Sequence, residues 1–270
     1  MRDQQTSELA QDANAHWQQR LVRRQFPGLT IYNADCREVL PHLDCEAIVT
    51  DPPYAMVFGG HGKKWEGRKF CQAINRKRDA LKAISDFDLS EYAEAIVGAK
   101  WKSAYFFCNK NLIADYINLA PKAKANADCL LWRKTCLPLH ATNYTPDSEY
   151  IIFLYRKGRT WKANNQHAHY SKVIEANVEA MKYHPTQKPV SVVQRLIMNS
   201  TAEGQTVCDP FMGGGTTAIA CILTGRNFIG IERDAAHYKT ACDRIAHELR
   251  QGVLLPPNVR DELPRIKNHE

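Results

Sequence analysis

Apolar residues along this chain recur at two spacings, one helical and one strand-like, in alternating blocks. Leu9, Ala13, Trp17 and Leu21 stand near helical spacing behind Ser7, which predicts an amphipathic helix over 7–26 that Pro27-Gly28 stops. LTIYNAD then ends on Asp35, a short helix is expected at 36–40, and AIVT (47–50) reads as a β-branched strand running into Asp51. Asp88 and Glu91 fit a capping box before the stripe Leu89, Tyr92, Ala93, Ile96 and Val97. SAYFFC (103–108) is a strand, and Leu112, Ile113, Tyr116 and Ile117 mark a helix that Pro121 closes. CLLW (129–132) and EYIIFLY (149–155) are strands joined by a Pro-containing segment that suits a hairpin or an active-site loop. Pro189 suits the first turn of a helix bearing Val190, Val193, Leu196 and Ile197. TVCD (206–209), a glycine turn at 213–215, a helix at 216–224 and FIGI (228–231) form one βαβ unit. Asp234 caps a last long helix that Gly252 ends. Strands spaced by helices predict an α/β fold on a largely parallel sheet.

Two stretches break the periodicity. Residues 55–82 are glycine-containing and basic, and read as a long loop with room for one short helix, a connection of the kind that is either functional or disordered. Residues 156–187 are polar and rich in His and Asn, and read as a small separate lobe.

Composition narrows the class. The chain of 270 residues carries a net charge of +7, which favours a polyanionic partner. No stretch approaches the roughly 20 apolar residues needed to cross a bilayer, and the first residues lack the apolar core of a secretory signal. A protein that stays in the cytoplasm, with no membrane partner, is expected. The nine cysteines show no CxxC spacing, so reduced thiols are expected and no metal site is.

Two segments carry chemistry. In Val207-Cys-Asp-Pro-Phe-Met-Gly-Gly-Gly-Thr-Thr217 an acid stands at a strand end before a glycine turn that enters a helix, which lets backbone approach a ligand. Glu232 ends the next strand, where a carboxylate can accept both hydroxyls of a ribose. The turn lacks the Gly-Lys-Ser/Thr ending of a nucleoside triphosphatase. That favours a nucleoside cofactor without a polyphosphate, with a dinucleotide oxidoreductase as the rival. At the other segment, Asp51-Pro52-Pro53-Tyr54, the prolines stiffen the backbone while Asp51 and a carbonyl offer acceptors and Tyr54 a flat ring. Such a set can hold an exocyclic amino group while the ring stacks on a base.

These motifs closely resemble those of the S-adenosylmethionine-dependent DNA amino-methyltransferases. Asp51-Pro52-Pro53-Tyr54 is similar to that family's catalytic motif, and the segment from Asp209 through Thr217 to its cofactor motif. FIGIE, ending at Glu232, resembles the following strand, HPTQKP (184–189) the segment before the cofactor strand, and IYNADCREVL the N-terminal segment that places Asp35 near the adenine. Ala34 departs from the glycine often found there. Catalytic motif first and cofactor motif last is the circularly permuted order of the beta group. The resemblance implies a Rossmann-like α/β methyltransferase fold with a mostly parallel sheet and a small inserted recognition region. The expected divisions are an N-terminal helical extension (1–30), a catalytic half (31–155), a target-recognition region (156–183), a cofactor half (184–252) and a tail (253–270).

The implied activity is methyl transfer from S-adenosylmethionine to N6 of a flipped adenine in DNA. N4 of cytosine is the alternative, followed by RNA methylation and a non-catalytic nucleic-acid-binding module. Asp51, Pro52, Pro53 and Tyr54 would be catalytic. Asp35, Lys188, Asp209, Pro210, Phe211, Gly213, Gly215, Thr216, Thr217 and Glu232 would hold the cofactor. Lys63, Lys64, Arg68, Lys69, Arg159 and Lys162 are the expected DNA contacts. The resemblance leaves open a homodimer and a separately encoded restriction endonuclease.

Overall fold

In the computed structural model, residues 21–53, 88–135, 144–161, 170–178 and 187–251 are described. Their strands are β1 (Val22–Phe26), β2 (Leu29–Asn33), β3 (Ala47–Thr50), β4 (Ser103–Cys108), β5 (Asn126–Lys134), β6 (Ser148–Tyr155), β7 (Val173–Ala176), β8 (Thr206–Asp209) and β9 (Asn227–Glu232). They form one sheet in the order β1-β2-β9-β8-β3-β4-β6-β5-β7. From β2 to β4 every neighbouring pair is parallel, so the carboxyl ends of β2, β9, β8, β3 and β4 share one edge. β6 runs antiparallel to β4 and β5, which brings its first residues to that same edge.

Helices cover both faces. They are α1 (Cys36–Val39), α2 (Leu89–Gly98), α3 (Ile113–Ile117), α4 (Leu119–Lys122), α5 (Val190–Ser200), α6 (Thr216–Thr224) and α7 (Ala235–Gln251). Strand alternation divides the core between the faces. Val49, Tyr105 and Phe107 pack with α5, α6 and α7, while Ile48, Ala104 and Phe106 pack with α1, α2, α3 and α4. All residues of β3 and β4 are buried, as central parallel strands require.

The connections from β3 and β8 leave on opposite faces. The β3–β4 connection includes α2 on one face, and α6 links β8 to β9 on the other. Because β3 and β8 are neighbours, a crevice opens between their carboxyl ends.

Several local expectations change. Residues 22–26 are a strand, not the end of a helix: Pro27-Gly28 makes a turn, with Gly28 at φ 70°, and β1 pairs antiparallel with β2. Inter-strand pairing overrides the helical period there, and the remainder of the expected helix lies outside the described residues. Pro121 lies inside α4 rather than closing the preceding helix, and Pro189 is the N-cap of α5 rather than its first turn. Asp88 caps α2 through the Ser90 amide, but the reciprocal half of the capping box is absent because the Glu91 carboxylate pairs with Arg37. The segment 156–187 is not a separate lobe in its described parts, since β7 joins the main sheet beside β5. The expected loop 55–82 and the tail lie outside the described residues. Among the described residues no helix is long and apolar enough to cross a membrane.

Candidate active site

Both sequence motifs follow the two strands that flank the crevice. Asp51 comes directly after β3, and Asp209 ends β8. The Thr50 hydroxyl donates to Asp209 Oδ1 at 2.6 Å, and the Thr217 hydroxyl donates to Oδ2 at 2.6 Å. The Phe211 amide donates to Oδ1 at 3.1 Å. Asp209 therefore ties β3, β8 and the start of α6 together. Its burial raises the carboxyl to about 6 against the pull of the Thr217, Thr50 and Phe211 donors.

The turn after Asp209 is held from the neighbouring strand. Gly213 and Gly215 have φ of 51° and 78°, in the region that glycine enters without strain. A Cβ on Gly215 would stand 3.3 Å from that of Ala241. Glu232, at the end of β9, accepts from the Gly213 amide through Oε2 at 2.9 Å and from the Asp234 amide through Oε1 at 2.8 Å. Burial raises its carboxyl, while those two amides pull it back. Arg244 clasps the turn from behind, donating to the Gly214 carbonyl at 2.9 Å.

On the β3 side Asp51 meets a buried cation. Lys188 Nζ lies 3.0 Å from Asp51 Oδ2 and 2.9 Å from Glu149 Oε2, with 6% of its side chain exposed. Glu149, near the start of β6, also pairs with Lys134 of β5 at 2.8 Å. Burial raises Asp51 to about 7 against the pull of Lys188. Burial also works to raise Glu149, but Lys188 and Lys134 outweigh it and hold that carboxyl below its usual range. Asp51 Oδ1 is buried and has no hydrogen-bond partner among the described residues.

One pocket joins the two halves. Asp51, Lys188, Asp209, Phe211, Gly213, Thr216 and Thr217 line it, with Thr50 and Phe107 in its wall. Pro52 and Pro210 are buried beside their aspartates. Phe211 meets Tyr92 edge-on at 5.3 Å. The Asp35 carboxylate caps α1 and accepts twice from the Arg37 guanidinium. Burial works to raise Asp35, but the Arg37 hydrogen bonds outweigh it and lower the carboxyl.

Arg159 is not brought to this pocket. It follows the far end of β6, next to Thr160, which bonds Glu46 just before β3 begins. Its guanidinium stacks over Tyr155 at 4.2 Å and Trp161 at 5.1 Å. Arg156, in the expected recognition region, donates to the carbonyls of Val97, Ala99, Trp101 and Ala123 instead. Tyr54, Lys63, Lys64, Arg68, Lys69 and Lys162 lie outside the described residues. Sequence reasoning missed Thr50, Glu149 and Lys134. A lone acid opening the apolar run of β6 was the available signal for Glu149.

A doubly wound sheet, with an Asp-Pro-Pro segment and an acid–glycine turn facing one crevice, defines the class. The model of the N6/N4 methyltransferase family, described as a DNA methylase, matches residues 45–243. The chain belongs to this family of S-adenosylmethionine-dependent DNA amino-methyltransferases, with the permuted beta-group order of motifs. Among characterised proteins it is 26% identical to the type II methyltransferase M2.MboI of Moraxella bovis over 234 residues, 77% of this chain and 84% of that protein. The M1.HpyAVI–SAM complex has a similar fold, with a TM-score of 0.61, 24% identity, and coverage of 80% of this chain and 98% of that one. The PvuII cytosine-N4-specific DNA methyltransferase also has a similar fold, with a TM-score of 0.58, 13% identity, and coverage of 83% and 90%.

Proposed function

We propose that this protein transfers the methyl group of S-adenosylmethionine to N6 of an adenine turned out of DNA. The observation that carries the reading is the shared pocket, in which the buried, unbonded Oδ1 of Asp51 belongs to the same wall as the Gly213–Thr217 turn. The donor set suits such a cofactor. Lys188 already serves two carboxylates, which leaves little for a polyphosphate, whereas Asp51, Asp209 and Glu232 favour a ligand with positive charge. When bound, the cofactor supplies a methyl group already activated on a sulfonium.

The chain's own work is alignment. Glu232 and the glycine turn hold the ribose side, Phe211, Thr216 and Thr217 line the floor, and Asp35 borders the adenine end. Pro210 stiffens the turn, and Tyr54 stacks on the extruded base. Adenine N6 is a poor nucleophile because its lone pair is delocalised into the ring. Asp51 and the Pro52 carbonyl accept its two hydrogens and concentrate electron density on nitrogen. The bound cofactor would supply the methyl carbon to that nitrogen and keep the sulfur electron pair, and the Asp51 carboxylate takes the proton that nitrogen sheds. DNA lies along the basic segment holding Lys63, Lys64, Arg68 and Lys69. A homodimer, a separately encoded restriction endonuclease and a cytoplasmic setting belong to the same reading.

Sequencing that distinguishes methylated bases, on DNA incubated with the protein and S-adenosylmethionine, tests it. Methyl groups on adenine N6 are expected, and Asp51→Ala should lose them while still binding the cofactor. Methyl groups on cytosine N4 would replace adenine in the reading, and unmodified DNA would overturn it.

A further inference from the structure

Four alternating charges run inward from the β5–β6 hairpin to the pocket: Lys134, Glu149, Lys188 and Asp51. We propose that Glu149 is a positioning residue for the transfer, holding Lys188 so that one ammonium serves two carboxylates and Asp51 keeps Oδ1 for the substrate amine. The inference rests on the methyl-transfer reading and adds to it a residue that touches neither substrate nor cofactor.

The Lys188 ammonium, this deeply buried, is stable only when paired. Asp51 alone would satisfy the charge but would form an isolated ion pair, in which the carboxylate is a weak proton acceptor. Glu149 competes for the same ammonium from the opposite side, and Lys134 keeps Glu149 charged. The shared cation pulls less on each partner. Burial then dominates at Asp51, and its carboxyl rises to about 7, with Glu149 and Asp209 adding to the rise. A carboxylate of near-neutral basicity accepts a proton better at physiological pH than a fully paired one does. The groups acting on Asp51 are Lys188 ahead of α5, Glu149 on β6 and Asp209 on β8, with Lys134 acting through Glu149. The Cys108 thiol at the end of β4 is pushed up by burial and stays neutral.

The test reads Asp51 directly. Carbon-13 NMR of protein labelled at aspartate carboxyls, with Asp51→Asn to assign the signal, gives its titration in wild type, Glu149→Gln and Lys188→Met. Glu149→Gln keeps the shape but removes a negative charge and leaves Lys188 to Asp51, so the midpoint should fall. Lys188→Met should move it the other way, and it serves as the second variant if Glu149→Gln does not fold. In DNA methylation assays, Glu149→Gln should lower kcat roughly tenfold to a hundredfold and move the acid limb of its pH profile to lower pH, with S-adenosylmethionine affinity unchanged. A purely structural Glu149 would lower kcat without moving the limb. An unmoved Asp51 midpoint, or a moved midpoint with an unmoved limb, overturns the proposal. Because the NMR titration needs no turnover, wild-type protein that shows the linkage yet methylates no DNA refutes the methyl-transfer reading and not the charge linkage.

Discussion

The Thr50 hydroxyl donates to Asp209 Oδ1 across 2.6 Å, joining the strand that leads into Asp51-Pro52-Pro53 to the strand that leads into the glycine turn. Both residues are buried, with 1% and 4% exposure, so water cannot replace this bond. This bond extends the β3–β8 pairing to the carboxyl ends of the two strands, where motifs far apart in the chain meet.

Thr50→Val keeps the side-chain shape and removes the donor. Asp209 retains the Thr217 hydroxyl and the Phe211 amide. A loss of about 1–2 kcal/mol is expected in urea unfolding. The double variant Thr50→Val/Asp209→Asn should lose less than the sum of the singles. Strict additivity would show that the two side chains are not coupled.

Stability should report the ionisation of Asp51. Its folded carboxyl, near 7, lies above the value of an unfolded chain, so between about pH 4 and pH 7 the folded protein holds a proton that the unfolded chain has released. Stability contributed at this site therefore falls as pH rises through that window. Asp51→Asn removes the titration, so it should gain on wild type from pH 4 to 7 and hold a constant lead above it. Asp209 contributes a slope of the same sign in both proteins. Urea midpoints at pH 5, 6 and 8 decide the point, and parallel curves would refute it.

Glu232 should be sensitive to more than charge. Its carboxylate already holds the Gly213 and Asp234 amides, so Glu232→Ala removes both the ribose acceptors and the latch on the turn. S-adenosylmethionine Kd should rise at least about tenfold, the equivalent of one charge-assisted hydrogen bond. Glu232→Gln, which keeps one acceptor oxygen, should lose less. Calorimetric titration of the three proteins checks the order.

Arg159 and the basic segment should separate in salt titrations. Neutralising Lys63, Lys64, Arg68 and Lys69 together should weaken DNA binding and flatten its salt dependence, the slope falling by about 0.9 for each phosphate that is no longer neutralised. Arg159→Ala should leave that slope unchanged. It should instead cost about 0.5–2 kcal/mol of stability, because it removes a cation from the Tyr155 and Trp161 rings. A reduced slope in Arg159→Ala would show that residue to be a DNA contact.

What the sequence determined by itself was local chemistry. The β-branched AIVT run, the positive φ of Gly213 and Gly215 and the Asp234 cap each depend on residues a few positions away, and each takes the form its residues predict. The βαβ unit from β8 to β9 and the α/β class follow from such pieces. Tertiary structure decided the rest. Val22–Phe26 becomes a strand because β2 offers it partners along its length, a gain that helical spacing cannot register. Arg159 stands away from the pocket because β6 runs antiparallel and carries its carboxyl end to the opposite edge. The same reversal brings Glu149 to the pocket, where Lys188 and Asp51 meet it from other elements. Strand order and direction arise from burying two apolar faces of one sheet at once, and that condition belongs to the whole chain rather than to any segment of it.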